Sequence, residues 1–128
     1  MSGYVVNIED VTLKNNNFRQ VLFTGKYCQL VVMCLKPGEE IGEEIHNNVD
    51  QFFRIDSGKG KVIIDGKENE VSDGFAFIVT AGAKHNVINT SQTDDLKLYT
   101  IYSPPNHPDG TTHKNKAEAE KYEKEHHH

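Results

Sequence analysis

GEEIGEEIHNNVDQFFRIDSG, residues 38–58, sets a carboxylate and an imidazole two positions apart, Glu44 and His46. On a strand, positions i and i+2 face the same way, so these two project together with Ile45 opposite. Gln51 follows five residues later, where the chain turns apolar in QFF. The wet face of an antiparallel sheet shows the same polar alternation. Taken alone, the stretch reads first as an ordinary surface strand and only second as half of a metal site.

A second stretch, GFAFIVTAGAKHNVIN (74–89), bears on the choice. His85 comes just after a turn containing Gly82 and shares a face with Val87 and Asn89. A lone histidine beside an inward valine reads as a hydrogen-bonded core residue. Two segments that each offer an imidazole beside inward apolar residues favour a shared site.

Around these segments the chain is a series of short, period-two or apolar runs. The expected strands are 4–8, 18–23, 27–36, 43–46, 51–56, 61–65, 75–79, 85–89 and 96–103. Glycine- and proline-rich turns separate them. Asp65-Gly66, between KVII and KENEV, is a type I′ hairpin signal, since both centres of that turn need positive φ. Many short strands at close spacing imply a β-sandwich or barrel. The one expected helix is KNKAEAEKYEKE (114–125), polar, peripheral, and supported by a Glu120–Lys124 pair. Before it, SPPNHPDGTTH (103–113) reads as an irregular surface arm in which His107 and His113 are exposed loop side chains.

The spacing of both segments resembles the cupin superfamily, most closely the small single-domain bacterial cupins labelled mannose-6-phosphate isomerase-like. The first cupin motif, G-x5-H-x-H-x(3,4)-E-x6-G, aligns with Gly38, Glu44, His46, Gln51 and Gly58. The second, G-x5-P-x-G-x2-H-x3-N, aligns with Gly74, Thr80, Gly82, His85 and Asn89. The resemblance implies an all-β double-stranded β-helix, a jelly-roll barrel with a short C-terminal helix. The length of 128 residues fits one domain, expected over 1–125 with arm and helix at 104–125, and the terminal HHH (126–128) reads as the remnant of a purification tag. The departures are Glu44 for the first histidine, Gln51 for the glutamate and Thr80 for the proline. The implied metal ligands become Glu44, His46, Gln51 and His85, with the summed ligand charge still −1. One divalent transition metal is the expected cofactor, and the ligand types suit iron, manganese, nickel or zinc alike. The competing expectation is a cupin that has lost its metal, in which Glu44 and Gln51 satisfy each other or bound water, because a buried unpaired carboxylate is costly.

Composition limits the partners. A formal charge of −5 over 128 residues with no basic cluster argues against nucleic acid. No apolar run approaches a membrane span, and MSGYVVNIED lacks a leader pattern, so a cytoplasmic protein is expected. Cys28 and Cys34 lie about 20 Å apart if they share one strand, too far for a bridge, and are expected to be free and buried. The resemblance implies a homodimer, for which strands 4–8 and 18–23, whose edges would otherwise be open, are the expected interface. Two functions fit. One is a metalloenzyme acting on a polar small molecule such as a sugar or short acid, with its acid–base group supplied by Tyr102 or an arm histidine. The other is a non-catalytic module that captures a small ligand around a vestigial metal site.

Overall fold

The computed structural model describes residues 2–125. The chain runs α1 (Ile8–Lys14), β1 (Arg19–Thr24), β2 (Gln29–Leu35), β3 (Glu44–Ile45), β4 (Asp50–Ser57), β5 (Lys59–Ile64), β6 (Lys67–Ser72), β7 (Ala76–Val79), β8 (Lys84–Asn89), β9 (Leu96–Ser103), β10 (Thr112–His113) and α2 (Lys116–Glu125). Two antiparallel sheets form the double-stranded β-helix. One has the order β10-β1-β2-β9-β4-β7 and the other β3-β8-β5-β6. Inward residues of both sheets make a single core that includes Val31, Met33, Phe53, Ile55, Val62, Val87 and Leu98.

The period-two reading holds where one face is buried. In β8, His85, Val87 and Asn89 point inward while their neighbours are exposed or half-buried. In β4, Gln51, Phe53 and Ile55 do the same. Phe53 stacks on Phe77 of β7 with ring centroids 4.7 Å apart. The Asp65-Gly66 turn joins β5 to β6 with φ of 48° and 82°, as a type I′ turn requires.

Two of the expectations, a strand at 4–8 and a buried Cys28, fail. Residues 4–8 are not a strand. They lead into α1, where the Asn7 side chain caps the helix by accepting from the Asp10 N–H at 3.1 Å. Lys97 Nζ donates to the Leu13 carbonyl at its far end, at 2.7 Å. The apolar run YVV suggested a strand, but the Asn-x-x-Asp cap and tertiary packing against β2, β4 and β9 decide for a helix. The dimer interface expected at a strand 4–8 therefore has no such strand to form on, and the outer edge of β1 is paired by β10. Cys28 is free but exposed, because β2 begins at Gln29; Cys34 is free and buried.

The C-terminal arm is also more ordered than a loose surface loop. Buried Gln29 holds it: Nε2 donates to the His107 carbonyl at 2.7 Å, and Oε1 accepts from the N–H groups of Asn106 at 3.1 Å and His107 at 2.9 Å. The Ser103–Pro104 peptide is cis. The final helix is anchored by Ala119, which is 3% exposed and part of the core. Its ion pair is Lys116 to Glu120, at 3.8 Å, in place of the expected Glu120–Lys124 pair. Residues 126–128, read as a tag remnant, lie outside the described residues.

Candidate metal centre

β3 and β8 are neighbours, and their register sets Glu44 directly opposite His85. Cross-strand partners share a face, so both side chains enter the barrel while Ile45 is left 52% exposed. His46 follows at the end of β3. One ligand atom from each of Glu44, His46 and His85 lies within 4.8 Å of the others. His46 Nε2 is 3.8 Å from Glu44 Oε2, and the two imidazole rings are 5.6 Å apart.

Gln51 comes from the other sheet. Its cross-strand partner in β9 is Tyr102, whose ring meets His46 edge-on at 6.0 Å, so Tyr102 links Gln51 to the cluster. The orientation of the Gln51 amide is fixed by chemistry. Thr100 Oγ1 donates its proton to the Phe52 carbonyl at 2.8 Å and accepts from Gln51 Nε2 at 2.9 Å. A flipped amide would set two acceptors against each other. Gln51 Oε1 therefore points away from Thr100, buried and without a hydrogen-bond partner.

His85 is oriented similarly. Its Nδ1 lies 3.4 Å from the Ala83 carbonyl, a bond that puts the proton on Nδ1 and the lone pair on Nε2. Nε2 of His85 and Nε2 of His46 are both buried and unpartnered. Burial lowers the pKa of both imidazoles; the Arg19 cation lowers that of His46 further, while Glu44 works against the shift at His85. Burial raises the Glu44 pKa, partly offset first by Arg19 and then by His85. Both rings are thus neutral near pH 7, the form a metal ligand needs.

The donor set fits a divalent cation. Two acceptor atoms whose roles their surroundings fix, His85 Nε2 and Gln51 Oε1, and a third ring nitrogen, His46 Nε2, are buried with no hydrogen-bond partner. Two imidazoles, a carboxylate and an amide oxygen are ordinary ligands for first-row divalent metals. Among the described residues the Gln51 amide nitrogen donates to Thr100, and no hydrogen bond joins Gln51 to Glu44.

Two features of the site differ from or escape the reading of the sequence. His107 is not an exposed loop residue: it is half-buried, its Nε2 is 3.2 Å from the Tyr102 hydroxyl, and burial with the nearby Arg19 charge lowers its pKa to about 3. His113 is buried in β10, opposite Arg19. Arg19 itself is 2% exposed and faces the barrel interior with Val21. The signal for it was present, since Arg19 occupies the inward phase of FRQVLF, where an alternating strand carries apolar residues.

A family model for the cupin domain matches residues 31–102, more than half of the chain. The chain is a cupin. An uncharacterised Bacillus subtilis protein, YrkC, is 52% identical over 123 residues, which cover 91% of this chain and 65% of that protein. An uncharacterised protein of Acanthamoeba polyphaga mimivirus is 46% identical over 111 residues, covering 84% of this chain and 69% of its own. This cupin therefore spans less than two thirds of the bacterial relative. A crystal structure from Bacillus halodurans superposes with a TM-score of 0.90 at 45% identity, covering 92% of this chain and 93% of that one. With the family in place, the motif glycines acquire reasons. Gly58 closes the first motif at φ 99°, where a Cβ would sit 2.5 Å from the Asp95 carbonyl oxygen. Asn89 closes the second motif: its Nδ2 reaches the carbonyls of Leu35, Lys36 and Asp94 at 3.0, 3.1 and 2.9 Å, and its Oδ1 accepts from the Ser91 N–H.

Proposed function

We propose that this cupin holds one divalent transition metal through Glu44, His46, His85 and Gln51 and uses it to engage a small polar molecule in the barrel. The observation that carries the reading is the set of three buried atoms, His46 Nε2, His85 Nε2 and Gln51 Oε1, left without hydrogen-bond partners, the last two fixed as acceptors by their surroundings. Leaving such atoms unsatisfied costs free energy, and a cation supplies what they lack. When bound, the metal would act as a Lewis acid toward an oxygen of the ligand.

The polar group beside the metal centre is the Tyr102 hydroxyl. Burial raises its pKa, so it stays protonated, and His107 Nε2 stands 3.2 Å away. A hydroxyl held protonated in this way serves as a hydrogen-bond donor to a sugar or short acid, whether the barrel transforms the molecule or only holds it. Elemental analysis of protein lacking the histidine tail and purified without chelator tests the metal site. About one equivalent of metal is expected, lost in Glu44→Ala and His85→Ala. No uptake after reconstitution with iron, manganese, nickel and zinc would overturn the reading.

A further inference from the structure

The unpartnered buried atoms of the barrel are of two opposite kinds. His85 Nε2 and Gln51 Oε1 are acceptors and, with His46 Nε2, belong to the proposed metal centre. Arg19 Nε and Nη1 and His113 Nδ1 are also buried and unpartnered, and the Arg19 nitrogens can only donate. Three of the five N–H groups of the guanidinium thus have no acceptor. Among the described residues no carboxylate oxygen lies within 4.0 Å of it. Its cation lies over the face of the Phe18 ring, 5.4 Å from Cζ, a contact that offers the in-plane N–H groups no acceptor.

The strands place this donor group beside the metal centre. Arg19 pairs with Met33 on one side and His113 on the other, and Met33 is an inward core residue, so both polar side chains stand on the inner wall of the larger sheet. The guanidinium charge reaches Glu44, His46, Tyr102, His107 and His113. An unpaired charge that is 98% buried is among the costliest features a small domain can carry.

We propose that Arg19, with His113 beside it, is an anion subsite that receives an oxyanion of the small-molecule ligand, a carboxylate or phosphate, next to the metal centre. The subsite rests on the unsatisfied donors and stands whether or not metal binds. With metal present, as proposed above, the interior carries three positive charges against the carboxylate of Glu44 and that of Glu123 on α2, whose charge also reaches the site, and the remaining positive charge strengthens the demand for an anionic ligand.

The test uses the full chain stripped with chelator, in a chloride buffer free of other oxyanions. The protein has two arginines, Arg19 and Arg54, so their Nε–Hε NMR signals are readily distinguished. Malonate and, separately, inorganic phosphate are titrated, with malonamide as the neutral control. The expected result is saturable movement of the Arg19 signal with an anion but not with malonamide, and at least tenfold weaker binding to Arg19→Met by calorimetry. The stronger of malonate and phosphate identifies the ligand as a carboxylic acid or a phosphoester, and either supports the subsite. Removing the unpaired charge is also expected to raise the Tm of the ligand-free protein. An unmoved Arg19 signal in the wild type overturns the proposal even if Arg19→Met does not fold; equal affinity in the variant overturns it too. Anion binding without metal uptake would uphold Arg19 and sink the metal reading, and metal uptake without anion binding would do the reverse.

Discussion

Thr100 touches neither of the imidazoles, yet it decides what Gln51 can do. Its hydroxyl gives its proton to the Phe52 carbonyl and so can only accept from Gln51, which forces the amide oxygen inward. Thr100→Val is expected to weaken metal binding by roughly 10- to 100-fold, as removal of an orienting partner typically does. Gln51→Leu should lose metal affinity too, whereas Gln51→Glu should strengthen it by adding a charge. Competition against a metallochromic chelator would measure all three. At His107 the consequence is a pH dependence. Its pKa falls from 6.5 to about 3 on folding, because burial and the Arg19 charge oppose protonation. The unfolded chain therefore takes up a proton between these values that the folded chain does not. Stability is complete above pH 6.5 and declines as pH falls, by about 1.4 kcal/mol per pH unit for each such histidine. Urea unfolding of His107→Gln between pH 7 and 5 should show a slope shallower by about one proton.

At the scale of the element, the second motif's asparagine is a clamp. Asn89 ends β8 and ties it to the end of β2 and the loop before β9 through three carbonyls. Asn89→Ala leaves those carbonyls and the Ser91 N–H short of partners and should cost about 3 kcal/mol. Asn89→Asp is expected to be no better, since a carboxylate cannot donate to a carbonyl. Chemical denaturation would show either failing as a lower midpoint. Gly58 joins β4 to β5 and is tolerant of no side chain: positive φ and the Asp95 carbonyl both exclude a Cβ. Gly60, one turn of the pleat further, would drive a Cβ into the Ile88 carbonyl. These residues hold the strands that carry His85 and Gln51 at a fixed separation, so their loss should reduce metal affinity along with stability.

Across the whole molecule, burial lowers the pKa of four histidines, His46, His85, His107 and His113, and raises that of two carboxylic acids, Glu44 and Asp56. The signs oppose. The histidines withdraw stability as pH falls below about 6.5, while Glu44 and Asp56, which prefer their protons when buried, return some at lower pH. Four groups outweigh two, so the metal-free protein should unfold more readily at pH 5 than at pH 7. Metal binding should counter this, because a ligand of the folded state adds about 2.7 kcal/mol at a hundredfold excess over Kd. Thermal unfolding at both pH values, with and without one equivalent of manganese or zinc, would show the gain shrinking as protons compete for the imidazoles.

Much of the barrel was legible because a sheet buried on one face imposes a period of two. Strand 96–103 agrees residue for residue, and the inward phases of β4 and β8 placed Gln51 and His85 correctly. The motif spacings of residues 38–58 and 74–89 named Glu44, His46 and His85, and the fold brings these three together because β3 pairs with β8. What the sequence could not show depends on partners far away in the chain. The helix at 8–14 forms against strands whose position no local pattern reveals. His107 is drawn in by Gln29, 78 residues away, and turned toward Tyr102. Arg19 carries an inward phase like any strand residue, but only the assembled interior shows that nothing there neutralises it. Local alternation settles which way a side chain points; only tertiary structure settles what it meets, and a site is defined by what is met.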